Sequence, residues 1–112
     1  MSGRRLAGFR AWLWQRVTAI YLGGFAAYLV IRWAAAPFDD AASLRAWLGG
    51  TPVWIGFVVF TVAVLLHAWI GIRDVILDYV KPPVLRLLML VLTALFLMIH
   101  GAWAARLLVS VT

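Results

Sequence analysis

The sequence predicts an all-α integral membrane bundle of three transmembrane helices, on three observations. The chain of 112 residues is 66% hydrophobic and only 12% charged, too apolar for an ordinary soluble domain. It contains three apolar runs without a charged residue, 17–31, 46–72 and 87–105, which with their flanks supply the ~20 residues that cross ~30 Å of hydrocarbon. Arginine and tryptophan gather at the ends of those runs, where they anchor helices at the membrane surface. The spans are expected at about 15–34, 52–73 and 86–107. Together they leave no room for an independent soluble domain, so residues 1–112 read as one membrane domain.

The opening segment to Arg16 holds Arg4, Arg5, Arg10 and Arg16 with no acidic residue, interleaved with Phe9, Trp12 and Trp14. This composition suits an interfacial lead-in. A cleaved signal peptide fits less well, because the apolar stretch exceeds a signal core and Pro37 would follow a cut after the alanines at 34–36. In the first span, Gly23, Gly24, Ala26 and Ala27 form a small-residue patch on which another helix can pack closely. The connection after Arg32 is polar. Its Asp39, Asp40 and Ser43 supply helix-capping chemistry and need no further role.

The second span opens at Pro52, tolerated in a first helical turn because its missing N–H would be unpaired there. His67 is the only ionisable side chain before Arg73. The helix is expected to run on to Val80, where Lys81, Pro82 and Pro83 end it. The third span lies between Arg86 and Arg106 and carries His100 and Trp103 toward its far end.

Basic residues set the orientation. The lead-in and the second connection hold Arg4, Arg5, Arg10, Arg16, Arg73, Lys81 and Arg86, against Arg32, Arg45 and Arg106 on the other side. Seven against three places the N-terminus and the Lys81 connection in the cytoplasm, and the C-terminus in the periplasm. A net charge of +6 is thus used for topology; the chain has no basic face or motif for nucleic acid. Cysteine is absent, which excludes disulfides and thiolate metal sites in this chain.

A histidine within a membrane span is costly to bury alone, so it faces a bundle interior and pairs with something. His67 admits three readings: a packing residue bonded to a neighbouring helix, a proton-relay group, or an axial ligand to a haem. At 3.6 residues per turn His67, Gly71, Asp74 and Asp78 share one stripe, with Tyr79 adjacent. Gly71 removes a side chain beside the imidazole, as a flat macrocycle or a close helix requires. Asp74 reads as a solvated helix end. With Arg73 and Arg86 taken as a common boundary, a rise of ~1.5 Å per residue puts His67 about 9 Å deep and His100 about 21 Å. On that count the two do not clamp one haem, and a second ligand has to come from another polypeptide. His100, beside Gly101, reads as a packing or polar-contact histidine.

The run His67-Ala68-Trp69-Ile70-Gly71, followed by Asp78-Tyr79-Val80-Lys81-Pro82 and Leu85-Arg86-Leu87, resembles the smaller hydrophobic membrane anchor subunit of bacterial succinate dehydrogenase, complex II. Arg16-Val17-Thr18-Ala19-Ile20 is similar to the start of the family's first span. The resemblance implies that His67 is an axial ligand to haem b, its iron's other ligand coming from a second, cytochrome b anchor subunit. It implies that Arg16 lies near the haem propionates, and that Tyr79 hydrogen-bonds a ubiquinone carbonyl with Asp78 beside it. The expected partners are that second anchor chain, an iron–sulfur subunit, a flavoprotein subunit and membrane lipid, in the bacterial inner membrane. Succinate would be oxidised elsewhere in the complex, not by this chain. Two other readings stay open: the anchor of a related fumarate reductase-type complex, and a small transporter or assembly protein without a cofactor.

Overall fold

The computed structural model describes residues 3–112, with side chains from Leu6 onward, so the side chains of Arg4 and Arg5 lie outside the described residues. Four helices make up this part of the chain: α1 (Gly3–Ala35), α2 (Ala41–Gly49), α3 (Thr51–Tyr79) and α4 (Pro83–Ser110). Strands are absent among the described residues, and α1, α3 and α4 are each long and apolar enough to cross a membrane. The protein is therefore an all-α, multi-pass membrane protein.

The three spans form a row with α3 in the middle; α1 and α4 pack on α3 and α2 lies against it. Among the described residues the buried apolar side chains, Ala63, Ile70 and Ile76, all belong to α3. The outward faces of α1 and α4 are broadly exposed within this chain, as suits helices surrounded by lipid and neighbouring subunits. The body measures 52 × 29 × 21 Å, long enough to pass through ~30 Å of hydrocarbon and project beyond it.

Each boundary has a local cause. α1 starts well before the expected span, because nothing between Gly3 and Val17 breaks a helix: the lead-in contains no proline and continues the same rod. α2 begins at a capping box, with the Ser43 N–H donating to Asp40 Oδ1 at 2.8 Å and the Asp40 N–H facing Ser43 Oγ. The two Ser43 hydrogen bonds, that from its backbone N–H first, hold the Asp40 carboxyl below the usual carboxylate range. α3 takes Pro52 in its first turn and stops at Tyr79, with Val80 as its C-cap. This is the end expected from Lys81-Pro82-Pro83.

Aromatic side chains close the connection between α1 and α2. The Arg32 guanidinium sits 4.5 Å from the Phe38 ring centroid and 5.4 Å from that of Trp47, a cation–π arrangement, and it also donates to the Ala36 carbonyl. Arg32, in the last turn of α1, thereby also opposes that helix's negative C-terminal dipole.

Antiparallel contacts set the register. On the α1 side of α3, the Tyr21 hydroxyl donates to the Gly56 carbonyl at 2.7 Å, and Phe25 packs over Gly56 and edge-on against Phe57. A Cβ on Gly56 would meet the Phe25 ring at 2.8 Å, so only glycine lets α1 approach there. Gly56→Val is expected to weaken this contact by about 1–3 kcal/mol through overpacking, read as a lower melting temperature of the protein in detergent. Gly23 and Gly24 behave differently: both are exposed, and a Cβ on either meets nothing within 4 Å. No helix of this chain fills that patch among the described residues.

On the α4 side, Trp54 Nε1 donates to the Leu108 carbonyl at 2.8 Å, and Leu65 packs onto Gly101, 3.0 Å from the position a Cβ would take. The helix boundaries correct the depth expected for the histidines. Measured from the adjacent helix ends, His67 lies twelve residues from Tyr79 and His100 seventeen from Pro83, so their levels differ by about 7–8 Å rather than about 12 Å. The gap is smaller because Arg73 and Arg86 are not level: α3 continues past Arg73 to Tyr79, and Arg86 sits within the first turn of α4.

Candidate functional site

Two clefts meet at His67. The larger, about 830 Å³, runs between the first half of α1 and the second half of α3, and His67 shares its wall with Gln15, Arg10, Arg16, Arg73 and Asp74. The other, about 620 Å³, opens toward α4 and is lined by His67, Gly71, Gln15, Met89 and Thr93 together with apolar residues. Both volumes fall in the range of ordinary ligand clefts. The first is rimmed by guanidinium groups and the second is almost wholly apolar.

Within this framework His67 is half-buried, and its Nδ1 lies 3.0 Å from Thr18 Oγ1 on α1. Thr18 is the one buried polar residue among those described, at 6% exposure. Its hydroxyl also donates back along α1, to the carbonyl of Trp14 at 2.7 Å. Gln15, one turn away on the same face, reaches Gly71: its Nε2 is 3.2 Å from the place a Cβ would occupy. The close neighbour that Gly71 admits from α1 is thus the Gln15 amide. Gln15 Oε1 is buried with no hydrogen-bond partner among the described residues, and so is Arg73 Nε. Both residues line the larger cleft, and buried polar groups are ordinarily paired.

The stripe expected on α3 divides. His67 and Asp74 share the larger cleft, Gly71 faces the smaller one, and Asp78 is exposed and lines neither. Asp74, near the helix end, is half-exposed, lines the larger cleft and forms an ion pair with its neighbour Arg73 at 3.2 Å. Arg16 is exposed and lines the same cleft as His67, its guanidinium 5.8 Å from the Trp12 ring centroid.

Tyr79, the last residue of α3, is 79% exposed. The turn that carries it is tied down from α4: Arg86 Nε donates to the Val80 carbonyl at 3.0 Å, and its Nη2 donates to the Leu77 carbonyl at 3.1 Å. Carbonyls at a helix C-terminus lack intrahelical partners, and a cation there also meets the favourable end of the helix dipole. Arg86→Leu is expected to cost about 1–2 kcal/mol of stability and to loosen the Asp78–Val80 turn, seen as faster amide hydrogen exchange at those residues.

His100 stands apart. It is exposed, its Nδ1 is 2.8 Å from the carbonyl of Phe96 on its own helix, and its ring lies 4.2 Å from that of Phe96. It lines neither cleft at His67. Facing as well as depth separates the two histidines. Sequence reasoning passed over Thr18, Gln15, Arg10 and Arg73 as contributors here. The available signal was the polar pair Gln15 and Thr18, three residues apart on one face of an otherwise apolar stretch.

These features define a class: a multi-pass helical membrane protein with an imidazole and a cationic rim in a cleft between two spans, and a tyrosine at the same end of the bundle as that rim. Over residues 3–101 the chain matches the succinate dehydrogenase/fumarate reductase transmembrane subunits, and it belongs to that family. Two relatives bear the name succinate dehydrogenase hydrophobic membrane anchor subunit. The one from Coxiella burnetii (strain RSA 493 / Nine Mile phase I) is 29% identical over 97 residues, covering 87% of this chain and 84% of its own. The one from Rickettsia conorii (strain ATCC VR-613 / Malish 7) is 31% identical over 96 residues, covering 85% and 76% respectively.

Proposed function

We propose that this chain is the smaller membrane anchor of a succinate:quinone oxidoreductase of the bacterial inner membrane, with its N-terminus in the cytoplasm, and that it takes part in binding both haem b and ubiquinone. Family membership supports the role of subunit. The observation that carries the cofactor reading is the half-buried His67 in a cleft that also presents Arg10, Arg16 and Arg73. An imidazole nitrogen facing a cleft fits an iron ligand, and guanidinium groups fit carboxylates through paired N–H donors. The orphaned Arg73 Nε is a donor in want of such an acceptor.

His67 would hold the iron from this side and Arg16 would face the propionates. Haem b, when bound, supplies a one-electron redox centre. His100 lines neither cleft at His67, and any second protein ligand to the iron would come from another chain, the cytochrome b anchor. An iron–sulfur subunit and a flavoprotein subunit would dock on the cytoplasmic end, where succinate is oxidised away from the membrane. Electrons from the iron–sulfur subunit would reach ubiquinone near Tyr79. There the phenolic O–H donates to a quinone carbonyl oxygen as negative charge develops on it, an arrangement that lowers the barrier by favouring the charged state. The exposed Asp78 beside it would orient the hydroxyl or pass a proton.

The test is purification of the complex through this chain in mild detergent, with variants at His67 and Tyr79. Loss of haem b in the first and loss of quinone reduction in the second are the expected results. A haem-replete His67 variant would refute the ligand assignment.

A further inference from the structure

The hydrogen bond between α1 and α3 at His67 decides more than packing. Thr18 Oγ1 has a single proton and three neighbours: the Trp14 carbonyl at 2.7 Å, the Gln15 carbonyl at 3.2 Å and His67 Nδ1 at 3.0 Å. The nearest is a carbonyl of its own helix, the usual acceptor for a threonine hydroxyl within a helix. With the proton committed there, the oxygen is left as acceptor toward the imidazole. Nδ1 then has to be the protonated nitrogen, and in a neutral imidazole the lone pair lies on Nε2. Nε2 makes no hydrogen bond among the described residues, while the ring lines the cleft.

We infer that Thr18 is a positioning residue for His67: by accepting the Nδ1 proton it fixes the tautomer and ring orientation that leave Nε2 as the coordinating atom. This rests on the haem-ligand reading of His67. It extends that reading by naming which nitrogen binds and what makes it do so, in a helix that supplies no ligand of its own. The interaction is sheltered, since Thr18 is 6% exposed and water cannot readily replace it. Donation of Nδ1–H to the hydroxyl oxygen also raises the electron-donating power of Nε2, which favours the oxidised iron. The back-bond to Trp14 polarises that oxygen in the direction that strengthens the effect.

The experiment uses the assembled complex carrying Thr18→Val, Thr18→Ala, Thr18→Ser or His67→Leu, with haem retention and the haem midpoint potential as readouts. Thr18→Val keeps the shape and removes the acceptor. It is expected to weaken haem retention by about 10–100-fold, the usual cost of losing such a partner, and to move the potential upward. Thr18→Ala should do the same, and Thr18→Ser should return both quantities to wild-type values. If Thr18→Val fails to assemble, the serine–alanine pair decides, because serine alone keeps the hydroxyl. Wild-type retention and potential in Thr18→Val or Thr18→Ala would overturn the inference, as would a serine variant that behaves like alanine. A His67→Leu complex that keeps its haem would instead overturn the ligand reading beneath it, so the two failures are distinct.

Discussion

Replacing His67 with leucine is expected to strip haem b from the purified complex, lowering its occupancy at least ~10-fold. Loss of a partner hydrogen-bonded to a metal ligand already weakens binding by about 10–100-fold, and removal of the ligand itself costs more. The fold should survive the change. Leucine fills a similar volume between α1 and α3, and the remaining contacts of that interface, Tyr21 to Gly56 and Phe25 to Phe57, lie several turns away. Thr18 keeps its bond to Trp14, so it is not left without a partner. The measurement is the reduced-minus-oxidised optical spectrum per mole of complex, set against a subunit gel that shows whether assembly is intact.

Tyr79→Phe is the second large effect. Removing a hydrogen-bond donor aimed at an oxygen that gains negative charge lowers turnover by about 10²-fold or more, and this should appear in succinate-dependent quinone reduction. Succinate oxidation with an artificial acceptor that bypasses the membrane site should be unchanged. The contrast matters because Tyr79 is 79% exposed and makes no hydrogen bond within the described residues. Phenylalanine therefore removes no intramolecular support, and a drop in quinone activity would reflect the hydroxyl alone. Unchanged quinone kinetics would exclude the assigned role.

The helices were legible in the chain because their causes are local. Three apolar runs gave three spans, Pro52 opened α3, Lys81-Pro82-Pro83 closed it, and Asp40 with Ser43 capped α2. The early start of α1 was less visible: arginines among aromatics read as an interfacial segment, yet without a breaker they simply lengthen the helix. What periodicity could not supply was register. It identified His67, Gly71, Asp74 and Asp78 as one stripe but not which neighbour each meets, and α3 is flanked on both sides, so the stripe divides between two clefts. Arg73 and Arg86 stand on different helices and do not mark one level, so the gap between His67 and His100 is smaller than a common boundary implies but is not closed.

The cleft residues outside α3 were illegible for a further physical cause. A threonine and a glutamine near the start of an apolar span are ordinary in composition. Their meaning arises only when antiparallel packing brings Thr18 to His67 and Gln15 to Gly71. The resemblance pointed to His67, Arg16, Asp78 and Tyr79; the fold adds that Arg16 lies in the cleft of His67, while Asp78 and Tyr79 lie apart from it at the end of the helix.

The most direct test of the central claim is an optical spectrum of the wild-type protein, purified through this chain in mild detergent and examined together with a subunit gel. The account predicts a b-type haem spectrum and three co-purifying chains: a second membrane subunit, an iron–sulfur protein and a flavoprotein. A preparation that assembles with those chains yet shows no haem, or that yields this chain alone and colourless, would contradict it.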